Sequence, residues 1–110
     1  HPPQWLLNVT NDAWYGMTPG PWQHLHQARL RAVEEGVPIV RAANDGVSAF
    51  VDPLGRVVAE LTLGAVGVVD SALPRPVAAT VFARFGSIPA LSLVLLAFFW
   101  AFWRRVHLLR

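Results

Sequence analysis

The sequence predicts an α/β (α+β) fold followed by one membrane-length helix, and three observations predict it. Short apolar runs bounded by turn residues flank a single long helical stretch near the N-terminus. Their order is strand, helix, strand, hairpin, strand, which suits a sheet with a helix layered on it. A stretch with no charged residue, Phe85–Trp103, then precedes a basic end.

Gln4–Thr10 reads as a buried strand through Trp5, Leu6, Leu7 and Val9. Asn11–Gly20 is polar and glycine-rich and reads as loop. Pro21 suits the first position of a helix that runs to Glu35, with Gly36 as its C-cap and Pro38 barring continuation. Val37–Ala43 is a second apolar strand. Asn44-Asp45-Gly46 is turn chemistry, and Val47–Val51, Asp52-Pro53-Leu54-Gly55 and Arg56–Thr62 form a hairpin. Val66–Asp70 is expected as a final strand. Residues 72–84, with Pro74 and Pro76, read as a linker.

As a helix, residues 85–103 would span about 28 Å, close to the hydrocarbon thickness of a bilayer. Pro89 falls near the start, where a first turn tolerates it. Trp100 and Trp103 fall at the far end, where interfacial aromatics belong. Arg104, Arg105, His107 and Arg110 follow, so the basic tail 104–110 is expected in the cytoplasm. Residues 1–71 would then lie across the membrane, in the periplasm of a Gram-negative cell.

With 110 residues the chain holds at most one ordinary domain. It opens on His1, and residues 1–71 make a thin core alone, so a piece of a longer polypeptide is expected. All nine basic residues are Arg and are spread along the chain, which argues against a nucleic-acid footprint. The absence of Cys excludes disulfides, thiolate metal sites and a thiol nucleophile within these residues. No basic region followed by an apolar core marks a signal peptide at the N-terminus.

The stretch Asn8–His24 concentrates polar and aromatic residues between a strand end and a helix start, the usual setting of a site-lining loop. Asn11 and Asp12 suit an Asx turn, which alone would explain them. Trp14 and Tyr15 fit either ordinary packing or the wall of an apolar pocket. His24 and His26, two apart on a helix, point to different faces and so do not share a metal; a structural role is the plainer reading. Arg31 and Glu34 are spaced for a surface ion pair of small value. Asn8-Val9-Thr10 matches a glycosylation sequon, but a position inside a strand speaks against its use. The Asn44-Asp45-Gly46 turn would shape the same cleft if it lay beside the Asn11–Gly16 loop.

The ordered series Thr10-Asn-Asp-Ala-Trp-Tyr-Gly16, Gly20-Pro-Trp-Gln-His24, Ala28-Arg-Leu-Arg-Ala32 and Arg41-Ala-Ala-Asn-Asp-Gly46 closely resembles the C-terminal part of the bacterial apolipoprotein N-acyltransferases. These are membrane-bound members of the nitrilase superfamily, and the resemblance covers nearly the whole chain. It implies the C-terminal part of a nitrilase-like αββα sandwich (residues 1–71), a linker (72–84) and one transmembrane helix (85–103) in the bacterial inner membrane. It implies acyl transfer from a phospholipid donor, through a Cys thioester, to the N-terminal amine of a diacylglyceryl-Cys lipoprotein, without a cofactor. Such enzymes use a Glu-Lys-Cys triad. This chain contains neither Cys nor Lys, and the family's Glu lies upstream, so no residue here is assigned a catalytic role and the segment alone is expected to be inactive. By position, Asn11, Asp12, Trp14 and Tyr15 match the loop beside the active site and are expected to line the substrate pocket. A membrane-anchored structural or interaction module and a fragment of a nitrilase-type amidase are the alternative readings.

Overall fold

A computed structural model describes residues 3–108. The ends of the expected segments, His1–Pro2 and Leu109–Arg110, lie outside the described residues. Four strands, β1 (Leu6–Asn11), β2 (Ile39–Asn44), β3 (Ser48–Val51) and β4 (Val57–Leu61), form one mixed sheet in the order β1-β2-β3-β4. A long helix, α1 (Gly20–Glu35), connects the parallel pair β1 and β2, and antiparallel pairing continues through β3 and β4. A short helix α2 (Val81–Phe85) and a long helix α3 (Ile88–Leu108) follow. The mixed α/β architecture expected from the sequence is the one observed.

The core lies between α1 and one face of the sheet. Pro21, Leu25, Ala28 and Ala32 are the buried residues of α1, at the spacing that keeps one face of a helix turned inward. Two of them are Ala, so the helix backbone can approach the sheet closely. Leu25 and Ala32 pack with Ile39, Val47, Ala49 and Val51. Burying a side chain such as Leu25 contributes about 1.5–3 kcal/mol. The opposite face of the sheet is uncovered along β1, where Leu7 and Val9 are exposed. Among the described residues there is thus one helical layer and one sheet layer.

Gly36 ends α1 in the left-handed conformation (φ 69°), and its N–H donates to the Ala32 carbonyl at 2.9 Å. That end of α1 is also tied to the segment ahead of α2. Val77 N–H donates to Gly36 O at 2.9 Å, and the Thr80 hydroxyl donates to the Glu34 carbonyl. At the other hairpin, Asp52 Oδ1 accepts the N–H groups of Leu54 and Arg56, each at 2.9 Å, and Oδ2 accepts from Arg56 Nε at 2.7 Å. Arg29 Nε donates to Gly55 O at 2.7 Å, which fastens this turn to α1.

Several elements differ from expectation. The first strand is not buried as expected: Trp5, Leu7 and Val9 are exposed, because among the described residues nothing covers that face. Val66–Asp70 forms no strand. After a turn closed by Ala65 N–H to Thr62 O (3.1 Å), residues 64–67 cross the end of the sheet beside Asn44–Gly46 instead of returning along β4. Val66 and Val68 therefore find no ladder partner and stay exposed. Within residues 72–84, Thr80 accepts the Ala83 N–H and starts α2, so the end of this segment is helical. Gly86 (φ 56°) then breaks the chain direction, and α3 begins at Ile88 rather than Phe85. α3 also carries Arg104, Arg105 and His107 as helical residues.

Gly36→Ala places a Cβ at a positive φ and 3.1 Å from the Val77 and Thr80 methyl groups. It is expected to cost about 1–2 kcal/mol, read as a lower urea midpoint. A second expectation concerns acid. Burial pushes the Asp52 carboxyl up, but the hydrogen bonds from Arg56 and Leu54 and the Arg56 charge outweigh it, and the net shift is downward from 3.8. The stabilisation is present above the ordinary carboxylate range and is lost as pH falls through the depressed folded value. Asp52→Asn should therefore be less stable than the parent at neutral pH, and the gap should close on acidification below about pH 4.

Candidate functional site

β1 alternates between half-buried Leu6, Asn8 and Thr10 and exposed Leu7, Val9 and Asn11. The parallel register sets Asn8 beside Arg41 of β2 on the helix-facing side. Arg41 is only 2% exposed, in the middle of an otherwise apolar strand. A buried guanidinium needs an anion and a full set of acceptors, or its desolvation is uncompensated. Asp12, one residue past β1 and fully buried, is that anion: Arg41 Nη2 donates to Asp12 Oδ2 at 2.6 Å. Arg41 Nε donates to Val47 O at 3.1 Å, and Nη1 donates to Asn8 Oδ1. One planar fork thereby joins β1, β2, the residue leading into β3 and the loop after β1.

The second carboxylate oxygen, Asp12 Oδ1, lies 2.7 Å from His24 Nδ1 on the second turn of α1. Arg41 Nη2 lies 3.2 Å from the same nitrogen. Nδ1 cannot donate to the carboxylate and accept from the guanidinium together. The shorter contact assigns the proton to Nδ1, directed at Asp12, which leaves Nε2 for another partner. The Thr10 hydroxyl approaches Asp12 Oδ1 at 3.4 Å. The arrangement buries one cation and one anion together, so its net charge is balanced and its directions are fixed by hydrogen bonds.

Gly46 packs directly on the carboxylate. A Cβ there would lie 2.5 Å from Asp12 Oδ2 and 2.8 Å from Asp12 Cβ. The preceding Asp45 takes a positive φ of 47°, which completes the turn. The Asn44–Gly46 turn does lie beside the loop after β1. Asp12 N–H donates to Asn44 O at 2.8 Å, and Asn44 Nδ2 donates to Asn11 Oδ1 at 3.0 Å. Asn11 Oδ1 also accepts the Ala13 N–H at 3.1 Å, the Asx turn expected of it.

The loop is a single 3-10 turn, Ala13–Tyr15, closed by Tyr15 N–H to Asp12 O at 3.0 Å. The Thr18 hydroxyl donates to Tyr15 O at 2.7 Å and accepts the Gly20 N–H at 3.2 Å, which leads into α1. The Tyr15 ring is tilted against His24, with centroids 6.1 Å apart. Trp14 is 86% exposed. Beside it, Ala13, Gly16, Met17, Asp45, Leu63 and Gly64 line a cavity of about 220 Å³. A groove of about 320 Å³ runs between α1 and β1 over Asn8, His24, Gln27, Arg31, Glu34 and Arg41.

The four residues expected at a pocket separate into two groups. Asn11, Trp14 and Tyr15 stand on the open side of the loop. Asp12 is sealed beneath it and holds other side chains. The sequence reading missed Arg41 and Asn8 as site residues and gave His24 a structural role. Two signals were present: Asn8, Thr10 and Asp12 alternate along one side of a strand, and Arg41 interrupts an apolar run with a charge that needs a partner. Arg31 and Glu34 pair at 3.1 Å on the surface, and His26 lies on a different face from His24, near Arg29. Among the described residues, no cluster of three or more His, Asp or Glu side chains is placed to hold a metal.

Comparison with known proteins finds that residues 4–81 match the carbon-nitrogen hydrolase family. The chain is 63% identical over 94 residues, 86% of its length, to an apolipoprotein N-acyltransferase of Rhodopseudomonas palustris. It is 53% identical over 104 residues, 94% of its length, to that of Bradyrhizobium diazoefficiens, and 49% identical over 94 residues to that of Rickettsia bellii. These matches cover 18%, 19% and 19% of the relatives, so the chain spans about a fifth of their length.

Arg41→Lys keeps the charge but cannot reach Val47 O, Asn8 Oδ1 and Asp12 Oδ2 together. With two of these acceptors left unpaired, the expected loss is about 2–4 kcal/mol in chemical denaturation. Arg31→Lys keeps the charge opposite Glu34 but loses the guanidinium over the Phe82 ring, and should cost no more than about 1 kcal/mol.

Proposed function

The chain belongs to the carbon-nitrogen hydrolase family, and we propose that it forms the C-terminal part of an apolipoprotein N-acyltransferase. In this reading the whole polypeptide takes an acyl chain from a phospholipid onto a Cys thiolate, breaking the glycerol ester and releasing the protonated lysophospholipid. It then passes the chain to the N-terminal amine of a diacylglyceryl-Cys lipoprotein. One observation carries the proposal: the likeness to the Bradyrhizobium enzyme takes in 104 of the 110 residues. It therefore continues beyond residue 81, where the family match ends, into the apolar helix. A soluble amidase has no need of that helix.

The chain has no Cys and no Lys, so the nucleophile and the oxyanion-stabilising amine of the family's triad come from the rest of the polypeptide. These residues supply support. Asp12, Arg41, Asn8 and His24 fix the height and direction of the loop over the sheet. Asn11 ties that loop to the Asn44–Gly46 turn, and Trp14 and Tyr15 form a wall against the acyl chain or the lipoprotein. A loop held this way is positioned before substrate arrives, which lowers the ordering cost of the reaction geometry.

α3 is proposed to cross the bacterial inner membrane. It is long and apolar enough to do so, 21 residues or about 31 Å of helix. Trp100 and Trp103 lie toward its end with Arg104 and Arg105, the composition of a cytoplasmic boundary. The sheet and α1 would then be periplasmic.

The test uses the full polypeptide that carries this segment, reconstituted with labelled phospholipid and a diacylglyceryl-Cys peptide. Acyl transfer to the peptide amine is expected. Trp14→Ala should lower the transfer rate roughly tenfold or more with little change in stability, because the exposed ring gives up substrate contact rather than core packing. Unchanged thioester formation and unchanged transfer would remove Trp14 from the pocket. A parent protein that hydrolyses amides but transfers no acyl chain would overturn the assignment.

A further inference from the structure

We propose that α2 lies in the headgroup–acyl boundary of a lipid bilayer, with Val81 and Phe85 directed into lipid and Arg84 set against lipid phosphates. The proposal rests on the reading of α3 as a membrane-crossing helix and goes beyond it, because it gives the soluble layer a defined docking face.

α2 is not free to choose which side it shows. Thr80 caps it through the Ala83 N–H at 3.0 Å and also donates to the carbonyl of Glu34 at the end of α1. Three residues earlier, Val77 N–H is bound to Gly36 O at 2.9 Å. Phe82 is turned inward, with the Arg31 guanidinium 5.9 Å from its ring centroid. One side of α2 is therefore committed to α1. Val81 and Phe85, four residues apart and so on a common face, are 68% and 56% exposed. Two large apolar side chains on a clamped helix have no cover from the described residues.

Chain geometry limits what can cover them. Only Gly86 and Ser87 separate α2 from α3, so the Cα atoms of Phe85 and Ile88 are at most about 11 Å apart. With Arg104 at the far boundary, Ile88–Trp103 makes about 24 Å of helix, so a hydrocarbon core of about 30 Å ends a few ångströms beyond Ile88, near Phe85. Phe85 then lies within reach of the headgroup layer. The local charge agrees with this: no Asp or Glu occurs after Asp70, while Arg75 precedes the apolar pair and Arg84 lies within it. Apolar side chains with adjacent Arg on a short amphipathic segment suit the interface rather than the hydrocarbon core or open water. Docked in this way, α2 and its ties at Glu34 and Gly36 turn the C-terminal end of α1 toward the bilayer.

These 110 residues contain no Cys, and the cysteines in the rest of the polypeptide are first replaced by Ser, so that each introduced cysteine carries the only label. Val81→Cys, Phe85→Cys, Val94→Cys in the middle of α3 and Met17→Cys in the loop after β1 are each labelled with bimane in the full chain. The labelled chains are reconstituted in vesicles of equal parts phosphatidylcholine and phosphatidylglycerol. Labels at 81 and 85 should shift to shorter wavelength, lose most of their quenching by aqueous iodide, and be quenched best by shallow nitroxide lipids. The label at 94 should be quenched best by deep nitroxide lipids, and the label at 17 should remain open to iodide. Labels at 81 and 85 as open to iodide as that at 17, with 94 still embedded, would overturn the docking of α2 and leave α3 in the membrane. A label at 94 that is also open to iodide would overturn both.

Discussion

The buried pair of Asp12 and Arg41 is the constraint on which the rest of this structure depends. A guanidinium and a carboxylate at 2.6 Å, both removed from water, are tolerated only if their remaining donors and acceptors are met. The partners that meet them come from three elements: Asn8 and Thr10 from β1, Val47 from the start of the hairpin and His24 from α1. The register of β1 on β2, the approach of the Gly46 backbone and the inward turn of α1 near its start are thus linked. A slip of one residue in β1 would move Asn8 and Thr10 to the open face and leave Arg41 without one of its acceptors. A buried pair adds little stability over apolar packing, but it allows far fewer arrangements, and a loop proposed to face substrate needs that selectivity.

Much of the fold was legible because it follows from local chemistry. Pro21 and Gly36 bracket α1, and Asn44-Asp45-Gly46 and Asp52–Gly55 are turns in the structure as in the sequence. What was not legible depends on where other elements lie. Val66–Asp70 has the β-branched composition of a strand, but its chain crosses the end of the sheet and does not run along the open edge of β4. Gly86 stops α2 and shifts the start of α3, an effect hidden inside a continuous apolar run. At the site, Asn11 and Asp12 were correctly placed at a strand end. That one would be exposed and the other fully buried follows from the strand's alternation, once Arg41 is known to lie alongside. The strand position that speaks against Asn8 as a glycosylation site is what brings it to Arg41.

The two ends of the layer have different chemistry. At the C-terminal ends of β1 and β2, hydrogen-bonded loops present Asn11, Trp14 and Tyr15 above a buried charge pair. At the C-terminal end of α1, a glycine cap, a threonine and a cation over an aromatic ring join the layer to α2 and hence to α3. α1 spans the distance between them, with His24 near one end and Glu34 near the other. It connects the loop proposed to face substrate with the segment proposed to face lipid, and Ala28 and Ala32 seat it firmly on the sheet.

The most direct test of the central claim is a double-mutant cycle on Asp12 and Arg41, followed by denaturant unfolding of the full chain in lipid nanodiscs. Asp12→Leu and Arg41→Met alone each leave a buried charge unpaired and should each cost about 3–5 kcal/mol. The double variant should cost far less than their sum, with a coupling above about 2 kcal/mol. Costs that add within about 0.5 kcal/mol would mean that the two residues do not depend on one another, and would contradict the account.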